Sequence, residues 1–336
     1  MCQEPKADYV HFSLRGAFKC CTPVQLFDEY FLAVGTSNGV CSLFKFQSNT
    51  HAAKNEMCQE PKADYVHFSL RGAFKCCTPV QLFDEYFLAV GTSNGVCSLF
   101  KFQSNTHAAV VYEDEEERQI MALGQIGNDD IFVHVRAFAV LLIRVTKSKK
   151  ALSFEIANKW PTAHYGFCRT IASASDLVMP CDNTKLKVVS VNDDEKTIDF
   201  SSPDLKECGV LTCFCLFVPN LLVLGFEKGA LAVFDMQESH CMQKAPLEKG
   251  MLQFFLISAR GCESLCFSPC GKQLASGYWD GSVRIHSVRT GNVRVLVNLH
   301  SSLITYLCWA SVHRKRLLFI CSEDMRLSIW NLHKDP

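Results

Sequence analysis

The sequence has no excess of charge of either sign, with 34 basic residues against 34 acidic ones in a chain of 336. It therefore lacks the basic footprint that a phosphate backbone demands, and nucleic acid is not an expected partner. No apolar run is long enough to span a membrane. The longest, "VLTCFCLFVPNLLVLGF" from Val210 to Phe226, is broken by Pro219-Asn220; it reads as two short buried strands around a turn, whereas a spanning helix needs about 20 apolar residues in succession. No membrane association is expected. A basic-then-apolar leader is also missing from the opening "MCQEPKADY", so the 19 cysteines are expected to stay reduced in a soluble intracellular protein, cytoplasmic, nuclear or both. None of them forms a Cys-x-x-Cys pair. Cys262, Cys266 and Cys270 lie four apart and Cys213 and Cys215 two apart. Such spacing across strands and turns does not converge on zinc, so buried thiols are expected and no metal.

What is present is repetition. Residues 1–53 and 57–109 are identical at every position, separated by Lys54-Asn55-Glu56. The chain divides into 1–56, an N-terminal duplicate plus its three-residue join, and 57–336. Diverged repeats share only the positions that sterics enforce, but these copies match at exposed and buried positions alike, and nothing in the physics of repeats requires that. The duplicate reads either as an extra structural unit or as a gene-model artefact, such as a repeated first exon.

Short runs of Val, Leu, Ile and Phe recur between turn residues, and almost nothing sustains a helical period. Four of the runs share one phase: "LAVGTSNGVCSLF" ending at Phe44, its copy ending at Phe100, "LVLGFEKGALAVF" ending at Phe234 and "LASGYWDGSVRIH" ending at His286. Each is a strand, Gly-x-x-x-Gly, then a second strand. The first glycine permits close packing and the second supplies the positive φ of a hairpin turn. "LFICSEDMRLSIW", Leu318 to Trp330, keeps the spacing and replaces both glycines.

Residues Cys262 to Leu332, "CESLCFSPCGKQLASGYWDGSVRIHSVRTG" followed by "HSSLITYLCWASVHRKRLLFICSEDMRLSIWNL", resemble two consecutive WD repeats. The resemblance implies an all-β propeller of seven four-stranded blades, or six if the duplicate stays outside the ring. It also implies a hydrogen-bonded chain of His, Ser or Thr, Asp and Trp pinning each blade. Ser276 and Asp280 match in the first repeat, with His286 where Trp is expected; His300, Asp324 and Trp330 match in the second, with Ile320 in the Ser or Thr place. Ending on a third strand at Ile329-Trp330 leaves the last blade needing an outer strand from the N-terminus, for which "VHFSL" is the candidate. It occurs twice, at Val10 to Leu14 and Val66 to Leu70. Inner hairpins number seven with the first copy and six without it, and the stretch between Asp235 and Cys262 is one blade short.

The order "FSLRG" at Phe68, "YGFCR" at Tyr165, "LLVLGFEKGALAVFD", "GYWDGSVRI" and an end after "LSIWNL" is similar to the G-protein β-subunit-like proteins related to the ASTRA-complex WD-repeat subunit. That resemblance implies a non-catalytic scaffold. Its partners would be the chaperone-adaptor machinery that matures phosphatidylinositol-3-kinase-related kinases, together with members of the chromatin-linked ASTRA assembly. No heptad appears, so a G-protein γ-subunit is not expected. The alternative is a substrate receptor of a cullin-type ubiquitin ligase, but the Arg such receptors carry after the third blade strand is absent from Trp330-Asn331-Leu332-His333 and from Phe234-Asp235-Met236-Gln237.

No catalytic residue or cofactor site is assigned. Gly271-Lys272 lacks the earlier glycine and following hydroxyl of a phosphate loop, having Cys266 and Gln273 instead. His134, on the apolar "DIFVHV", has no visible catalytic partner. The runs Glu113 to Glu117 and Lys147 to Lys150 read as solvated loops. Tyr278 and Trp279, in the turn before Asp280, are the candidate contact residues on a propeller rim, where aromatic anchors dominate binding energy.

Overall fold

The computed structural model describes residues 18–26, 29–36, 41–46, 63–69, 71–104, 106–148, 151–173, 176–182, 185–190, 195–199, 210–217, 221–226, 231–235, 240–244, 252–255, 261–288 and 293–332. Among them are 28 strands and no helix, paired into seven four-stranded antiparallel sheets. The first three strands, β1 (Phe18–Leu26), β2 (Glu29–Thr36) and β3 (Cys41–Phe46), come from the N-terminal copy. After β4 (Tyr65–Phe68) the second copy supplies β5 (Phe74–Leu82), β6 (Glu85–Thr92) and β7 (Val96–Lys101), which β8 (Thr106–Glu113) completes. The next sheet is β9 (Ile120–Ile126), β10 (Asp130–Val135), β11 (Ala139–Lys147) and β12 (Leu152–Pro161).

Then come β13 (Ile171–Ser173), β14 (Asp176–Pro180), β15 (Lys185–Ser190) and β16 (Glu195–Asp199), followed by β17 (Leu211–Phe217), β18 (Leu221–Phe226), β19 (Leu231–Asp235) and β20 (His240–Lys244). A lone strand, β21 (Leu252–Phe255), pairs with β3 and closes the first sheet. The chain ends with β22 (Cys262–Phe267), β23 (Gln273–Tyr278), β24 (Val283–Ser287) and β25 (Val293–Val297), then β26 (Ile304–Val312), β27 (Lys315–Ser322) and β28 (Arg326–Asn331). β4 adds to β28. The outer strand of the last blade is thus donated by the second "VHFSL"; the first lies outside the described residues.

Inner strands pack in the cyclic order β1, β22, β26, β5, β9, β13, β17 and back to β1, so the sheets are blades of a closed ring. Residues 18–46 occupy the berth between the β17 and β22 blades, where the sequence runs one blade short. Because each blade is stacked on two others, its second strand is buried on both faces. Phe87 to Thr92 of β6, Ile131 to Val135 of β10 and Leu317 to Ser322 of β27 are all buried. That explains apolar runs without alternation. At about 1.5–3 kcal/mol for each large apolar side chain buried, these seams supply most of the gross stabilisation.

The two glycines act as their spacing predicts. A Cβ on Gly91 would lie 2.5 Å from Ile120 Cγ2 of the adjacent blade, and one on Gly277 2.5 Å from Ile304 Cγ2. Gly95 and Gly281 have φ of 81° and 85°. In the last blade Met325 takes the second glycine's place with φ 61° and its side chain exposed, a conformation that costs an L-residue about 1–2 kcal/mol.

Candidate interaction site at the channel mouth

In six inner strands the ladder slips at the same place, leaving one residue out of register: Lys19, Lys75, Met121, Thr212, Glu263 and Thr305. A bulge frees the backbone groups of its extra residue from pairing, and those groups need other partners. In the seventh blade Arg169 stands two residues before β13 and turns toward these bulges. Its Nη1 donates to the carbonyls of Lys75 (3.0 Å) and Met121 (2.7 Å), and its Nη2 to that of Thr305 (3.0 Å). The guanidinium also lies 4.8 Å from the Tyr306 ring centre. One arginine thus gathers three bulge carbonyls from three blades, a use that only a forked, multiply donating cation can serve. Sequence reasoning missed it, because in "YGFCR" the arginine carries only a family resemblance.

Five of these bulge residues, all but Thr212, line a central cavity of about 870 Å³, whose lining also includes the exposed Phe167 and Trp279. Trp279 is 39% exposed and donates Nε1–H to Glu263 Oε2 at 3.0 Å. Gly261, at φ 54°, lies against the indole, where a Cβ would come within 2.2 Å of Trp279 Cδ2. Beside it, Tyr165 is 70% and Phe167 51% exposed. The Lys19 ammonium lies 4.6 Å from the Phe167 centroid and 6.0 Å from that of Trp279; the Arg136 guanidinium is 5.6 Å from Phe167 and donates twice to the Tyr165 carbonyl. Among the described residues neither cation has a carboxylate partner. The patch is therefore aromatic and positively charged, with cations held over rings.

Tyr278 does not belong to it. The expectation placed Tyr278 with Trp279 on the rim, but Tyr278 is fully buried and packs with Ala33, Cys262, Leu265 and Phe267. Successive strand residues face opposite sides, so at the end of β23 only Trp279, in the turn, looks outward.

The blade pins are partly as expected. In the last blade Trp330 Nε1–H donates to Ser328 Oγ at 2.7 Å, Ser328 lies 2.7 Å from His300 Nε2, and His300 Nδ1 lies 3.1 Å from Asp324 Oδ2. The donors run consistently from Trp330 to Asp324 if His300 is neutral, and burial does hold its pKa below the ordinary value, against the opposing pull of Asp324. Asp324 is held below the usual carboxylate range despite burial, by the Ser301 amide, the His300 ring and the Arg326 amide. The hydroxyl thus comes from Ser328, the ladder partner of Ile320, and not from the strand where the family pattern puts it. In the preceding blade Ser276 Oγ lies 2.9 Å from His286 Nε2, so His286 substitutes for the tryptophan. Asp280 stays within its own turn, accepting from the Ser282 amide (3.0 Å) and hydroxyl (2.6 Å).

The acidic run is not simply a solvated loop. Asp114 is buried and accepts from Tyr112, from the amides of Glu116 and Arg118 and from the Arg118 guanidinium. Arg118 also stacks 3.8 Å from the Phe138 centroid. Lys147 pairs with Glu85 at 2.8 Å. Among the described residues no group of three or more His, Cys, Asp or Glu is placed to hold a metal. Burial pushes the Cys76 and Cys266 thiols up to about 12. His134, with Nδ1 3.1 Å from Thr170 Oγ1, is depressed to about 3 by burial, then by His164 and Arg169, so it is a neutral core residue.

Seven blades, inner strands around a channel and the Asp324–His300–Ser328–Trp330 chain define the class: a WD-repeat β-propeller. The comparisons agree at the level of fold. A profile described as the anaphase-promoting complex subunit 4 WD40 domain matches residues 258–312. Among solved structures, the crystal structure of Chaetomium thermophilum Raptor superposes with a TM-score of 0.60 at 15% identity, over 77% of this chain and 28% of that one. The chain spans little more than a quarter of that protein. No curated protein matches.

Proposed function

We propose that the protein is a non-catalytic scaffold that docks other proteins at the channel mouth. The observation that carries this is the exposed cluster of Trp279, Phe167 and Tyr165 with Lys19 and Arg136 over it, set on a closed ring in which Arg169 ties three blades together. Aromatic anchors on rigid supports, rimmed by charge, are the composition of binding hot spots. Two cations without carboxylate partners favour a segment that brings carboxylates of its own.

Within that role the partners are the adaptors that mature phosphatidylinositol-3-kinase-related kinases and members of the ASTRA assembly, in cytoplasm and nucleus. The support is the order of sequence motifs from "FSLRG" to "LSIWNL". The test is quantitative affinity purification of wild type beside Trp279→Ala and Arg136→Glu. Recovery of that machinery by wild type, with at least about a tenfold loss in each variant, is the expected result. Equal recovery by all three removes the channel mouth from the reading, and its absence from the wild-type sample removes the named partners.

A further inference from the structure

We propose that the berth between the β17–β20 and β22–β25 blades is a binding site for residues 18–46 as a separable piece, which a second copy of this chain can fill as well as the first. Among the described residues the occupant has no ladder partner in either neighbouring blade, and its ladder link to the body is β21, four residues long. Residues 47–64 lead from β3 to β4, two blades away around the ring. Eighteen residues reach at most about 60 Å, which allows the piece to seat in its own body or in that of a neighbour.

At Cys20 and Ala33 the berth meets its occupant by the same contacts the second copy makes elsewhere. Cys20 Sγ–H donates to the carbonyl of Cys262 at 3.7 Å; its twin Cys76 donates to Ile120 at 3.7 Å. Cys262 and Ile120 both open the next inner strand. On the other flank Cys21 shares hydrogen bonds with Cys213 and Cys215, and its twin Cys77 lies among Cys321, Cys308 and Cys266. Aligning Leu211 with Ile304, where both strands bulge, puts Cys215 in the place of Cys308. Ala33 is fully buried against Cys262, Leu265 and Tyr278, as its twin Ala89 is buried in the core shared with β9. A berth with one carbonyl and one thiol repeated at the right heights selects this segment over an arbitrary hairpin. Exchange of an identical element between protomers then adds no new interface, and a tether that raises the local concentration to about millimolar keeps the piece at home when the protein is dilute.

The test uses the full chain with a specific protease site in place of Lys54-Asn55-Glu56. After cutting, native mass spectrometry is expected to find the N-terminal piece and the body as a one-to-one complex. Mixing cut protein with its isotopically heavy counterpart, in urea below the unfolding midpoint, is expected to give hybrids of intermediate mass. Ala33→Asp should weaken retention of the cut piece by roughly a hundredfold while hydrogen exchange in β5–β8 is unchanged. A piece that leaves on cutting, an Ala33→Asp piece that stays, or cut complexes that never form hybrids would each overturn the proposal.

Discussion

Residues 18–46 and 74–102 carry the same sequence in two different blades, so whatever differs between them was put there by their surroundings. Both form the same three strands with the same slip after the first phenylalanine. Both send a cysteine thiol to the first carbonyl of the next blade. They part at the edges. The second copy is finished by β8, eight residues that follow at once; the first is finished by four residues of β21 from far along the chain. Lys75 forms an ion pair with Glu323, whereas its twin Lys19 lies over the rings of Phe167 and Trp279. Arg169 takes the Lys75 carbonyl, and among the described residues no such bond reaches β1. The same strands are a keystone in one berth and a guest in the other, because a blade's seams depend on its neighbours and its attachment on its outer strand.

The strongest way to break this comparison is a buried charge in each twin. Ala89 and Ala33 are both fully buried. Ala89→Asp should cost about 3–5 kcal/mol, the range for an uncompensated buried carboxylate, and lower the melting temperature of the whole ring. Ala33→Asp should instead unseat one blade, with rapid hydrogen exchange confined to β1–β3 and β21. If both variants lose the same global stability, the first copy is as integral as the second.

Arg169→Ala should cost about 3 kcal/mol, since three carbonyls lose charge-assisted donors at once. The loss should appear as faster exchange in β5, β9 and β26 and leave β1 protected. Arg169→Lys should recover little of it, because a point charge cannot reach three acceptors as a fork does. Protection that falls equally in β1 would mean that Arg169 holds the ring as a whole.

Much of this was legible in the sequence where one residue type has one physical use. Gly95 and Gly281 had to turn, and Gly91 and Gly277 had to make room for the next blade. His300, Asp324 and Trp330 were placed by the resemblance to a WD repeat. The chain missed Ser328 because its hydroxyl comes from the strand opposite Ile320, and a ladder partner is invisible until register is known. Arg169 was missed because bulge carbonyls have no sequence signal. Tyr278 was misplaced because a turn and a strand end differ by one residue, and one residue reverses the face. The gap between Asp235 and Cys262 was legible, but not the outer strand that seats the first copy there, because "LQFF" at Leu252 is too short to mark a blade.

Acid should act on the second copy's side of the ring. Burial holds His67, on β4, at about 4, below its ordinary 6.5. The unfolded chain therefore binds the proton first as pH falls. The stability from a neutral His67 is complete above pH 6.5 and is lost between there and about 4, amounting to at most about 3 kcal/mol. His134, depressed to about 3, adds to the same trend. Hydrogen exchange at Tyr65–Phe68 should accelerate across that window, and His67→Phe, packed beside Tyr65 and Phe100, should flatten the response. A β4–β28 ladder indifferent to pH would show that His67 is as solvated in the fold as in the coil.

The smallest effect is the sharpest comparison. Cys20→Ala and Cys76→Ala remove the same thiol from the same bond to the next blade. A thiol is a weak donor, so each loses little from the bond itself, and packing decides the rest. Cys76 is fully enclosed, and its truncation should cost about 1 kcal/mol through the space left behind; Cys20 is half-buried and should cost about half as much. Measured by urea denaturation, a cost for Cys20 equal to that for Cys76 would mean that the guest blade is packed as tightly as the keystone. The weakness of the first copy would then reside wholly in its four-residue outer strand, and lengthening β21 would be the change that makes the two blades equivalent.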